Sequence, residues 1–149
     1  MISKKDLKEL VNLRLKDADV LIGNRRYNTA FYIGGYALEI ALKLKVCKIF
    51  KFEQGFPESK LDFSFYQNSS KHQPLLNITI SKIKDIRNHD LNKLLFYSGV
   101  EYDIKLNHLA EWDLAIAWNP EMRYNTQKFL KKDIVNRLNS IKKLIKNIL

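Results

Sequence analysis

Few residues in this 149-residue chain have the chemistry to move a proton or hold a developing charge. The three histidines, His72, His89 and His108, do not recur at metal-ligand spacing, which argues against a zinc site and leaves no metal expected. Cys47 is the only cysteine, so an internal disulfide is excluded, and no Ser or Cys stands in a nucleophile signature. A Gly-rich phosphate loop, CxxC and HExxH are all missing, and no cofactor is expected. Glu39 remains as a lone acid in an apolar stretch, together with His89-Asp90 and Arg123-Tyr124. An imidazole, with an ordinary pKa of about 6.5, suits proton transfer, and a guanidinium can stabilise negative charge. Each also has a structural reading. His89 would be a helix-cap residue, Arg123 an ion-pair partner of Glu39 or Asp90, and Tyr124 with the two tryptophans core rather than base-stacking surfaces.

The elements that must position these groups follow from periodicity. Asn28 to Val46 (NTAFYIGGYALEIALKLKV) is apolar on nearly every side, without strand alternation, and is expected to be the central helix of a bundle. Gly34 and Gly35 make sense there if another helix backbone approaches closely. Glu39 would accept hydrogen bonds from a basic or hydroxyl group on a neighbouring helix and orient the site. Before this helix, Ser3 and Asp6 cap a first helix over about Lys4 to Ile22. The stretch Phe50–Lys71 mixes aromatics with Gly, Pro and Ser, as a long surface excursion does, with a short strand conceivable at Phe63 and Phe65. A short helix is expected within Leu75–Ile86. A third dependable helix starts near Asn88-His89-Asp90 and stops at Ser98-Gly99, and a fourth runs from Asp103 or Asn107 to Trp118. Asn119-Pro120-Glu121 is both a stop and a start, and the last helix is expected from about Thr126 to Ile148, with a stripe from Leu130 to Ile148. The fold class is therefore all-α: one domain over residues 1–149, a compact bundle of about five helices with a long irregular connection between helices two and three.

Composition narrows the setting. Hydrophobic residues make up 46% and charged residues 28%, as in a globular domain. The N-terminal residues do not read as a signal peptide and no apolar run suits a membrane span, so a cytoplasmic protein with no membrane partner is expected. The net charge is +10, and residues 128–149 hold seven cations, including Lys128, Lys131 and Lys132, against Asp133 alone. That concentration suits RNA, DNA or another acidic partner, or equally a solvated lysine face.

In order, GYALEIALK (Gly35–Lys43), HDLNKLL (His89–Leu95), SGVE (Ser98–Glu101), AEWDLAIAWNPEMRY (Ala110–Tyr124) and a basic terminal helix are present. This combination resembles the HEPN (higher eukaryote and prokaryote nucleotide-binding) domains, in particular small stand-alone bacterial members. The resemblance implies a helical bundle, usually a homodimer, in toxin–antitoxin, phage-defence or RNA-processing systems. The implied partners are RNA, a nucleotide, a nucleotidyltransferase or an antitoxin. Many HEPN domains are metal-independent ribonucleases, with an Arg followed after four to six residues by His. Arg123 stands at about that place, but no histidine follows it at that spacing. The expectation is a module that binds RNA, a nucleotide or a partner protein through Arg123, Tyr124, Lys128, Lys131 and Lys132. Glu39 and Asp90 would orient the site. The rival is an active endoribonuclease using Arg123 with a displaced His89 as base. A helical adaptor with a merely solubilising basic face is the third reading.

Overall fold

A computed structural model describes residues 1–69 and 79–149. Among the described residues there are eight α-helices, one short 3-10 helix and no strand, only a bridge between Ile2 and Phe56. The helices are α1 (Lys4–Gly23), α2 (Tyr27–Ile49), α3 (Lys60–Asn68), α4 (Ile83–Ile86), α5 (Leu91–Tyr97), α6 (Glu101–Asn107), α7 (Leu109–Ala115) and α8 (Lys131–Ile148), with the 3-10 helix at Pro120–Tyr124. None of them is long and apolar enough to cross a membrane.

Helix α2 is central because its apolar residues point in almost every direction and its neighbours cover most of them. Ala30, Phe31, Ala37, Leu38, Ala41 and Leu42 are all buried, packed with Val11 and Ala18 of α1 and Ile134, Leu138 and Ile141 of α8. The two glycines of α2 do admit close neighbours, but these are side chains rather than a helix backbone. A Cβ on Gly34 would meet Leu138, and one on Gly35 would lie on the Trp118 indole. Trp118 Nε1 then donates to the Tyr32 carbonyl at 2.9 Å, satisfying a buried indole donor.

The turn from α1 into α2 is a Schellman motif. Arg26 N donates to the Leu21 carbonyl and Arg25 N to that of Ile22. The residue in the left-handed position is Arg25, at φ 58°, where glycine is the usual occupant. The other end of α2 is closed the same way, with Lys51 at φ 54° and Phe52 N donating to the Cys47 carbonyl.

The long irregular connection expected after α2 does not exist in that form. Phe50, Phe52, Phe56, Phe63 and Tyr66 are buried with Leu7, Val46, Ile80 and Ile86 as a second hydrophobic cluster. Phe52 stacks on Tyr66 at 4.3 Å between centroids, and the Tyr66 hydroxyl donates to the Gly55 carbonyl at 2.8 Å. The aromatics outweigh the turn residues because burying each large ring is worth about 2 kcal/mol. Phe63 and Phe65 belong to α3, not to a strand: Ser59 and Asp62 form a capping box, and Phe63 is 4% exposed against 54% for Phe65. Of the short helix expected within Leu75–Ile86, Ile83–Ile86 is described, whereas residues 75–78 lie outside the described residues.

The count of about five helices is also corrected. The fourth expected helix is two, α6 and α7, separated at His108, whose φ is −139°. The last begins at Lys131 rather than Thr126, because Asn28 ties the preceding segment down. Its side-chain amide donates to the Gln127 carbonyl and its Oδ1 accepts from Phe129 N at 3.4 Å. Leu130, expected at the head of the buried stripe, is 71% exposed.

Candidate functional site

One stripe of α2 carries polar side chains rather than aliphatic ones. Asn28, Tyr32, Tyr36, Glu39 and Lys43 follow one another at steps of four, four, three and four, which places them on one face of the helix. Glu39 is the buried anchor of this seam at 2% exposure. Its carboxylate accepts from Lys43 Nζ and from His89 Nδ1, each at 2.8 Å. A carboxylate oxygen accepts, so in this contact Nδ1 of His89 is the donor and Nε2 is left outside it. The imidazole is 53% exposed, so the dyad faces outward.

His89 is not the helix cap that its position suggested. Asp90 caps α5, its Oδ1 accepting from Asn92 N and Lys93 N. Asn88 Oδ1 accepts from Asp90 N at 2.9 Å, and the Asn88 amide donates to the Asp85 carbonyl at 2.7 Å. Asp90 thus fixes where α5 starts, and that places the residue before it against Glu39.

Tyr36 continues the seam, meeting the His89 ring edge-on at 6.0 Å and the Trp118 indole at 5.0 Å. Its hydroxyl accepts from Tyr32 at 3.3 Å. Burial pushes the Tyr36 hydroxyl up to about 12, reinforced by Tyr32 and the Glu39 charge and opposed by Arg123. Arg123 lies on the other side of Tyr32, reached through the 3-10 helix that Asn119 caps by accepting from Glu121 N at 3.0 Å. The Tyr124 and Tyr32 hydroxyls beside its guanidinium hold its pKa above the usual arginine value, and it sits over the Tyr124 ring at 4.7 Å. Glu39 therefore pairs with Lys43 and His89, not with Arg123. Arg123 and His89 share one face of α2, with the Tyr32–Tyr36 pair between them.

Three cavities open along this line. One of about 360 Å³ is lined by His89, Lys43, Lys84, Arg87, Asn88, Ile83 and Glu58. The next, about 200 Å³, is formed by Tyr32, Arg123, Met122, Asn125, Asn28 and Thr29. A third of about 370 Å³ shares Asn28 and Thr29 with it and adds Arg25, Arg26, Tyr27, Lys128 and Phe129.

The terminal basic cluster divides in two. Lys142 pairs with Asp19 at 2.6 Å, Lys143 with Glu111, and Arg137 donates to the Leu114 carbonyl at 3.1 Å while lying over Phe31. These cations join helices to one another. Lys128, Lys131 and Lys132 are exposed, the latter two in the first turn of α8. The tryptophans are core, Trp112 at 2% and Trp118 at 3%, but Tyr124 is 74% exposed and therefore a surface ring. Among the described residues, no three His, Cys, Asp or Glu side chains gather as a metal site requires.

Sequence reasoning missed Tyr32, Tyr36, Lys43, Arg25 and Arg26. The signal for three of them was present: polar groups recurring at helical spacing in an otherwise apolar helix. For the two arginines only the turn geometry reveals the role. Comparison of the chain with protein-family models, with curated proteins and with solved structures found no match.

Proposed function

We propose that this chain is a HEPN-like module that binds RNA or a nucleotide along the polar seam of α2. The observation that carries the reading is the row of three cavities on one helix face, each supplied with cations, with exposed Tyr124 beside the middle one. Cations placed along a groove with an aromatic surface suit a phosphate backbone and its bases. The motifs that resemble HEPN domains support a toxin–antitoxin or phage-defence setting. They also support a homodimer, for which exposed Tyr102 and Leu106, one turn apart on α6, offer apolar surface. The test is fluorescence anisotropy with labelled RNA and with ATP at low salt, beside sedimentation to find the oligomeric state. Binding should weaken steeply as salt rises. A protein that stays monomeric and binds neither ligand would sink the reading.

The Glu39–His89 pair favours a second reading, a metal-independent endoribonuclease. His89 Nε2 would take the 2′-hydroxyl proton while the 2′-oxygen attacks the adjacent phosphorus and the P–O5′ bond breaks, the leaving 5′-oxygen taking a proton from water. The products would be a 2′,3′-cyclic phosphate and a 5′-hydroxyl. Glu39 would hold the tautomer and stabilise the imidazolium, and Arg123 would bind a neighbouring phosphate. Cleavage that persists in EDTA but disappears in both His89→Ala and Arg123→Ala would support it. Unchanged cleavage in both variants would remove these two residues from any catalytic role.

A further inference from the structure

The cavity at the start of α2 stands apart from the His89 dyad, and its lining has a different character. Arg25, Arg26 and Lys128 supply three positive charges, and no acid lines it. Among the described residues none of the three forms an ion pair. Several cations that lie between helices or beside a buried acid do have partners: Lys43 holds Glu39, Lys142 holds Asp19 and Lys143 holds Glu111. Asn28 fixes the cavity's far wall by binding the backbone at both Gln127 and Phe129, and Lys128 between them lines the same cavity as Arg25 and Arg26. Like charges kept together without a counter-charge are unfavourable until an anion joins them.

The distance to the dyad follows from the helix. From Tyr27 to Lys43 is sixteen residues of α2, about 24 Å at about 1.5 Å each. At about 3.4 Å per stacked nucleotide, and up to about twice that unstacked, this spans about four to seven nucleotides. The middle cavity, with Arg123, shares Asn28 and Thr29 with the distal one and extends along α2 as far as Tyr32. We infer that the Arg25–Arg26–Lys128 cavity is a distal phosphate subsite, which sets the minimum length of a single strand laid along α2 with its other end at His89. This deepens the RNA-binding reading and rests on it: a mononucleotide would fill one cavity, whereas a strand would fill all three.

The experiment measures affinity for oligo-U of about three and about eight nucleotides, with the wild type and with Arg25→Gln/Arg26→Gln/Lys128→Gln. The subsite requires the wild type to bind the longer oligomer at least about tenfold more tightly than the shorter. The variant should bring the longer one down to the affinity of the shorter, leave the shorter unchanged, and lower the salt slope for the longer by about 2, at about 0.7 for each phosphate that is no longer neutralised. A melting temperature that does not fall and a parallel Arg25→Lys/Arg26→Lys/Lys128→Arg variant that keeps the length dependence show that charge, rather than folding, is being read. Length-independent binding, or equal weakening at both lengths, overturns the subsite and leaves RNA binding standing. A wild type that binds neither oligomer overturns both.

Discussion

The two ends of the α2 seam place charge in opposite ways. At the Glu39 end the charges are buried or half-buried and paired, and a single imidazole is turned outward by the pairing. At the Arg25 end the charges are exposed and, among the described residues, unpaired, held by a backbone in the left-handed region and by one asparagine. The first arrangement fixes an orientation, because displacing Glu39 leaves Lys43 largely buried without its counter-charge. The second stores electrostatic attraction for a ligand and sacrifices some local stability to do so. Geometry suited to proton transfer and charge suited to phosphate are thus kept about four to five turns apart on one helix.

The largest effect should come from breaking the paired end. Glu39→Ala leaves Lys43 half-buried without its counter-charge and should cost about 3–5 kcal/mol, measured by urea unfolding. A loss below about 1 kcal/mol would show that the dyad is not an electrostatic anchor. Next comes the wall between the ends: Gly35→Ala puts a methyl on Trp118 and should cost about 1–3 kcal/mol, read from the same titration.

Smaller and opposite in sign is Arg25→Gly. Relief of the left-handed backbone should stabilise the protein by about 1 kcal/mol while weakening long oligonucleotide binding. Lys51→Gly is the control at the other end of α2. It relieves the same geometry and should leave binding unchanged, so parallel losses in the two variants would assign the effect to the turn rather than to the charge.

The smallest effect separates structural from ligand-binding cations on α8. The hydrogen bond from Lys143 holds the Glu111 carboxyl below the usual carboxylate range. A depressed folded pKa means that the stabilisation is present above the unfolded carboxylate pKa and is lost as pH falls through the folded value. Glu111→Gln should therefore lower the melting temperature slightly at neutral pH and not at all in acid, with RNA affinity unchanged. A drop in affinity equal to that of Lys128→Gln would erase the distinction between paired and free cations.

Much of this was legible before any coordinates. The central position of α2, the cap of α1, the start of α5 at Asp90, the break at Asn119-Pro120 and the oddity of Glu39 all follow from local chemistry, which acts within a turn or two of helix. The aromatic stretch after α2 departs from the expected loop because its Gly, Pro and Ser are local signals, whereas the burial of its rings depends on Leu7 and Ile86 far along the chain. The end of the last helix was legible and its start was not, since Asn28 pins the intervening segment from 99 residues away.

What the sequence determined by itself is which side chains exist and which helix face each occupies, because periodicity is a property of the backbone. Only the tertiary structure decided who meets whom. Glu39 chose His89, 50 residues distant, over Arg123, because α5 packs on the seam where Glu39 emerges and the 3-10 helix packs one to two turns earlier, at Tyr32. That choice depends on packing between segments far apart in the chain, so spacing along the sequence carries no record of it.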